Sequence, residues 1–288
     1  TVIHNAGIFD LTAAPKRLWT VNADGASLMA DAAATAGISR FIMISSTSVY
    51  GRAPCPTAED APKKPYHDYS ASKWAGEERA TEVCARHGIS MATLRPTLVY
   101  GPGSRYGIAP LFCLYALAQA QPMTPPGLRG GAVTHVVHIS DVVGAAVHLA
   151  ENQKFEGPFN IADEQPISVQ GLAEGVMHSL GMTPSRIRVP GASLGLARLG
   201  KGLAGLLMRP LNARTQNAWT QLCHRQNLAP KLSPRVDIDW LDFLSHNNTF
   251  DITRLRKSGY TFVHGSIDTG IPHTTQWYRT HRWLPPAH

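Results

Sequence analysis

Residues 41–51 read Phe41-Ile42-Met43-Ile44-Ser45-Ser46-Thr47-Ser48-Val49-Tyr50-Gly51. Four uninterrupted apolar residues describe a strand covered on both faces, as in a parallel sheet, and the hydroxyls that follow mark its polar end. Toward the N-terminus, Val21 to Ala36 has helical character and is closed by Gly37. Before it, Thr1-Val2-Ile3-His4-Asn5-Ala6-Gly7 reads as a short buried strand ending in a small-residue turn. Toward the C-terminus, residues 51–68 are rich in Pro, Asp and Lys and read as a surface loop. Ser70 to Arg86 is helical with Gly88 as its C-cap, Ile89 to Leu94 is another strand, and Leu98-Val99 is an apolar pair just past Pro96. Val133 to Ile139 and Phe159 to Ala162 read as strands, with helices over Val142 to Ala150 and Val169 to Leu180. This alternation predicts an α/β fold on a doubly wound parallel sheet. The β character fades after about residue 165, so the sequence divides into a region over 1–165 and a smaller, mostly helical region over 166–288.

Composition narrows the function classes. The 288 residues are 43% hydrophobic and 16% charged, which supports a packed core and excludes a disordered chain. No apolar run approaches the roughly 18 residues of a membrane-spanning helix, and no basic segment precedes an apolar one as in a secretory signal. Cys55, Cys84, Cys113 and Cys223 are widely spaced and form no C-x-x-C pair. That argues against disulfides and a zinc site, and makes a reducing cytoplasm the expected location. The net charge of +7 suits an anionic ligand such as a dinucleotide, whereas the lack of a dense Lys/Arg block argues against nucleic acid. His135 and His138 lie three apart in a β-like run and so face opposite ways. No metal is expected.

Two further segments carry the chemistry: Tyr69-Ser70-Ala71-Ser72-Lys73 and Leu94-Arg95-Pro96-Thr97-Leu98-Val99-Tyr100-Gly101-Pro102-Gly103. Tyr69 follows Ser46 by 23 residues. Together with Ser45 to Gly51, and supported by Val137-His138-Ile139-Ser140-Asp141-Val142 and Phe159-Asn160-Ile161-Ala162, these segments resemble the extended short-chain dehydrogenase/reductase family. That family includes the NAD-dependent epimerases and dehydratases and a 3-beta-hydroxysteroid dehydrogenase-like branch. The resemblance covers roughly residues 1 to 180. It implies a Rossmann-type fold, NAD or NADP as cofactor, a small-molecule substrate, and Ser46, Tyr69 and Lys73 as catalytic residues.

Tyr69 and Lys73, four apart on a predicted helix, face the same side. A free phenol ionises near pH 10, and a nearby ammonium favours the phenolate. Lys73, by the resemblance, also holds the nicotinamide ribose. Ser46 stands at a strand's C-terminal end, where open α/β sheets bind their ligands, and would hold the substrate oxygen and share a proton with Tyr69. The resemblance assigns Asn5, Ala6, Gly7, Asn22, Ser45, Pro96 and Thr97 to the cofactor alongside Tyr69 and Lys73. It assigns Thr47, Leu98, Tyr100 and His138 to the substrate. Plainer readings stand beside these: Asn22 as a helix N-cap, Ser45 as a buried strand-end residue, Pro96 and Gly101 as strand punctuation, and Thr47 as the hydroxyl replacing Ser46.

The family's G-x-x-G-x-x-G, which binds pyrophosphate at a helix N-terminus, occurs nowhere in this sequence. Thr1 to Gly7 matches what is usually the fourth strand. The resemblance therefore implies a fragment whose first three strands are missing, together with the residue that selects NAD or NADP. Nucleotide-sugar members carry an asparagine at the position of Leu98 and often an arginine at that of Thr134, both contacting the diphosphate. Their replacement here points to hydride transfer on a relatively apolar alcohol or ketone, with nucleotide-sugar epimerisation or dehydration as the alternative. Residues 191–211, if helical, align Arg198, Lys201 and Arg209 on one face. That stripe is either a solvated face of a pocket-covering helix or a peripheral contact with an anionic membrane. Trp277-Tyr278-Arg279 and Trp283-Leu284-Pro285 read as a final packing element. By analogy with relatives, helices near 22–36 and 70–87 imply a homodimer.

Overall fold

The computed structural model describes residues 1–9, 13–121, 125–190, 201–236 and 245–287. The chain forms two compact units, each assembled from separated stretches: 1–97, 140–162 and 250–263 in the first, and 98–139, 163–249 and 264–288 in the second.

Unit 1 is an α/β layer. Its parallel sheet runs in the order β1 (Val2–His4), β2 (Arg40–Ile44), β3 (Ser90–Pro96) and β8 (Gly157–Ile161). The register pairs Val2 with Phe41, Ile44 with Leu94 and Leu94 with Phe159, so the C-terminal ends of the strands align. Phe41, Ile42 and Met43 are wholly buried, as their unbroken apolar run requires. β1 is less buried than the sequence suggests. It pairs with β2 alone among the described strands, and Ile3 is 45% exposed.

After α1 (Pro15–Leu18), a π-helical turn at Trp19–Asp24 leads into α2 (Gly25–Thr35). α3 (Asp68–Arg86) starts two residues earlier than the sequence indicates, because His67 caps it: Ser70 N donates to His67 Nδ1 at 3.1 Å. Ala26, Ala30 and Ala33 of α2 meet Ala80, Val83 and Cys84 of α3 over Phe41 and Met43. A Cβ at Gly76 would lie 2.3 Å from the Asn22 carbonyl oxygen, so only glycine permits this approach of α3 to the π-helical turn. Loop 51–68 is more than surface. Thr57 and Glu59 are buried, Thr57 bridges to Phe250, and the Asn160 N–H donates to Glu59 Oε1 at 3.0 Å.

Arg40 is fully buried where α5 (Ile139–Glu151) ends. It donates to the carbonyls of Leu149 (2.5 and 3.1 Å) and Phe155 (2.7 Å) and to Ser90 Oγ (2.6 Å). A cation at a helix C-terminus satisfies both the carbonyls and the dipole. The short α8 (Thr253–Lys257) completes the unit.

Unit 2 is mostly helical. Its strand pairs are β4 (Leu98–Tyr100) with β7 (Val136–His138), β5 (Gly127–Arg129) with β10 (Arg188–Pro190), and β6 (Val133–Thr134) with β9 (Ile167–Ser168). The single strand expected over 133–139 is therefore two. The chain breaks at His135, whose N–H donates to Asn248 O at 2.8 Å, and the halves take different partners. The core gathers Phe112 and Cys113 of α4 (Ala109–Gln119), Leu172 and Val176 of α6 (Val169–Ser179), Trp219 of α7 (Lys201–Arg225), and Ile271 and Tyr278 of α9 (Ile267–Thr280). Trp283 stacks on Tyr278 at 5.5 Å, the packing role read for the tail. Residues 191–200, with Arg198, lie outside the described residues. Among those described, no helix is long and apolar enough to cross a membrane.

Candidate active site

Eleven of the residues singled out by sequence belong to unit 1, and most follow the aligned strand ends: Asn5, Ala6 and Gly7 after β1, Ser45, Ser46 and Thr47 after β2, Thr97 after β3. The others are Pro96, which ends β3, Asn22 in the π-helical turn, and Tyr69 and Lys73 on α3.

The half-buried Tyr69 is hydrogen-bonded through its phenol to Ser46. Burial pushes the phenol up to about 12, and the Ser46 hydrogen bond works against this. Lys73, one turn on, is buried and pushed down to about 8 by that burial, with Glu77 opposing. Its Nζ donates to the Ile44 carbonyl at 2.6 Å. The expected depression of the phenol by the lysine is therefore not what governs the site. Burial dominates, and Tyr69 holds its proton at neutral pH.

The hydroxyls sort themselves by partner. Ser46 Oγ accepts from Ser48 N at 3.1 Å, capping the 3-10 turn Thr47–Tyr50, and also meets Tyr69. Thr47 Oγ1 donates instead to the Pro96 carbonyl at 3.4 Å, which favours Ser46 as the hydroxyl next to the phenol. Ser45 Oγ is buried with no hydrogen-bond partner among the described residues. A Cβ at Gly7 would lie 3.2 Å from Asn22 Oδ1 and 3.6 Å from Lys73 Nζ, so glycine keeps open a small polar cradle. That cradle, the orphaned Ser45 hydroxyl and an ammonium with N–H groups to spare fit a nicotinamide ribose. Asn22 is not an N-cap. Its Oδ1 accepts from Ile8 N (2.8 Å), and its Nδ2 donates to Ile8 O (3.1 Å) and Ser72 Oγ (3.1 Å), pinning the turn after β1 to α3.

Beside this cluster lies a network to which sequence reading assigned no role. Arg95 and Glu77 form a buried ion pair, Nη2 to Oε2 at 2.6 Å and Nε to both carboxylate oxygens at 3.1–3.2 Å. Arg95 Nη1 reaches Tyr50 OH (2.8 Å) and Glu59 O (3.0 Å). Tyr50 OH donates to Asn160 Oδ1 at 2.6 Å, and Asn160 Nδ2 donates to Thr57 O and Asp251 O. Three motif segments and helix α3 are thus joined through one polar centre. Its signal was present in the sequence, since Tyr50, Arg95 and Asn160 stand inside the quoted motifs.

Leu98, Tyr100 and His138 belong to unit 2. β4 and β7 pair Leu98 with Val136 and Tyr100 with His138. Tyr100 and His138 are wholly buried and pack edge to face at 5.3 Å, and Asp163 accepts from His138 N (3.3 Å) and Tyr100 OH (3.5 Å). Burial, then His264 and His273, push the His138 imidazole down to about 3.

Residues 1–162 match the model of the "NAD dependent epimerase/dehydratase family". A ceramide reductase of Caulobacter vibrioides is 27% identical over 269 residues, covering 92% of this chain and 70% of the relative. A UDP-glucose 4-epimerase of Mycolicibacterium smegmatis is 30% identical over 166 residues, 56% of this chain and 53% of the relative. The chain spans about half the length of most curated relatives it matches. Among solved structures, RMD from Pseudomonas aeruginosa complexed with NADPH superimposes with a TM-score of 0.68 at 18% identity, over 97% of this chain and 81% of that one. The family model covers more than half of the residues, and the fold agrees: the chain belongs to the NAD dependent epimerase/dehydratase family.

Proposed function

We propose that this chain carries the catalytic part of an NAD- or NADP-dependent oxidoreductase acting on a secondary alcohol or ketone of a relatively apolar substrate. The observation that carries the proposal is the Ser46–Tyr69 hydrogen bond on a helix whose next turn presents the buried Lys73. When bound, the nicotinamide would accept or supply the hydride. Tyr69, protonated at neutral pH, gives its proton to the substrate oxygen in reduction and recovers it in oxidation. Ser46 donates to the same oxygen and holds it against the phenol. Lys73 spends one N–H on the Ile44 carbonyl, and its others would hold the ribose hydroxyls in the cradle that Gly7 keeps open. Unit 1 is read as the cofactor-binding and catalytic part and unit 2 as the substrate-binding part. A homodimer through α2 and α3 belongs to the same reading, supported by the exposed Leu28 and Met29 of α2.

The apolar substrate is supported by the similarity to a ceramide reductase along most of the chain. Two positions agree with it: Leu98 brings no amide, and Thr134 is buried with its hydroxyl donated to His135 O at 3.3 Å, so neither offers a diphosphate a cation. The second reading, nucleotide-sugar epimerisation, has the UDP-glucose 4-epimerases in its favour. The test gives the full protein each nicotinamide cofactor with a sterol, a hydroxy-acyl compound and a UDP-sugar, following nicotinamide absorbance and products. Net cofactor turnover with the apolar compounds is expected. Stereochemical change of the UDP-sugar without net turnover would replace the proposal by its rival, and silence throughout would overturn both.

A further inference from the structure

Unit 2 holds a second group of chemistry-bearing side chains, which the active-site reading does not use. His138 ends β7, His264 precedes α9, and His273 lies within α9. Their ring centroids are 4.2 Å (His138–His264), 5.1 Å (His138–His273) and 4.8 Å (His264–His273) apart. One nitrogen from each ring lies within 4.8 Å of those from the other two, and His138 Nε2 is 3.2 Å from His273 Nδ1. Distance along the chain hides the group from any spacing rule, so the sequence alone leads to the expectation of no metal.

Two imidazole nitrogens at that separation either share one N–H or sit along an edge of a coordination tetrahedron. Zinc–nitrogen bonds of about 2.0–2.1 Å place two such ligands roughly 3.3 Å apart. A shared proton accounts for one pair, whereas a metal accounts for the convergence of all three. Pre-organisation agrees. The His138 backbone is fixed by Asp163 and its ring by the edge of Tyr100, while Gly265, next to His264, accepts from Glu164 N at 2.8 Å. The His138 and His273 nitrogens already stand at that separation, and the His264 nitrogen lies within 4.8 Å of both.

We propose that His138, His264 and His273 form a binding site for a divalent transition-metal ion of the zinc type, tying the end of β7 to α9 within unit 2. Three neutral nitrogen donors suit zinc, nickel, cobalt or copper and disfavour magnesium and calcium, which take oxygen ligands. A fourth position is left to water.

The test is calorimetric titration of the chelator-stripped full protein with zinc chloride, and separately with magnesium chloride, beside His264→Gln and His273→Gln. Neither side chain is buried, so both variants should fold. The expected result is one saturable zinc equivalent with a raised melting temperature, no magnesium binding, and roughly 10–100-fold weaker zinc binding in each variant. Absence of saturable zinc binding, or an affinity unchanged in both variants, would overturn the site and leave a hydrogen-bonded histidine pair.

Discussion

Two polar centres lie side by side in unit 1, and they differ in how fully they are satisfied. In the Arg95 centre every group has a partner: the guanidinium reaches Glu77, Tyr50 and Glu59, and the Asn160 amide reaches Thr57 and Asp251. In the Tyr69 centre groups are left over. Ser45 Oγ has no partner among the described residues, Lys73 is too buried to keep its usual proton affinity, and the phenol is held protonated. A fully satisfied buried network rigidifies a frame, whereas unsatisfied groups persist where a ligand completes them. The difference separates residues that hold strand ends in register from those proposed to meet substrate.

Substitutions can break or sharpen that contrast. Tyr69→Phe has the largest expected effect, a roughly 10²–10⁴-fold loss of turnover with unfolding free energy nearly unchanged, read by steady-state kinetics and denaturant titration. Arg95→Met strands the Glu77 carboxylate in the interior and should cost about 3–5 kcal/mol by denaturant unfolding.

Lys73→Met links the comparison to pH. The folded-state value of about 8 lies below the ordinary 10.5, so between the two the unfolded chain holds a proton that the folded one has released. Stability of the wild type relative to the variant therefore rises with pH through that window, by about 3 kcal/mol in all. Ser45→Ala is the smallest. Removing an unpaired buried hydroxyl should leave stability within about 1 kcal/mol of wild type or raise it, while weakening cofactor binding in a fluorescence titration.

The sequence made one of these centres legible and hid the other. Ser46, Tyr69 and Lys73 stand in motifs that resemble the short-chain dehydrogenase/reductase family, so the resemblance could point to them before any coordinates. Arg95, Glu77, Tyr50 and Asn160 stand inside or beside the same motifs, but only the sheet register shows that they converge. Strand alternation revealed the parallel sheet because Phe41 to Ile44 had to be covered on both faces. It failed at 133–139, where apolar character continues through His135 although the backbone turns to a new partner. Local patterns cannot register a change of partner. For the same reason Arg40 went unnoticed: its role depends on where α5 ends, more than a hundred residues away.

The most direct test takes Tyr69→Phe and Arg95→Met through the same two measurements, turnover per folded molecule and unfolding free energy. The effects should fall on opposite axes, the first variant stable and nearly inert, the second unstable but active in whatever fraction folds. Equal losses on both axes in both variants would contradict the division into frame and chemistry.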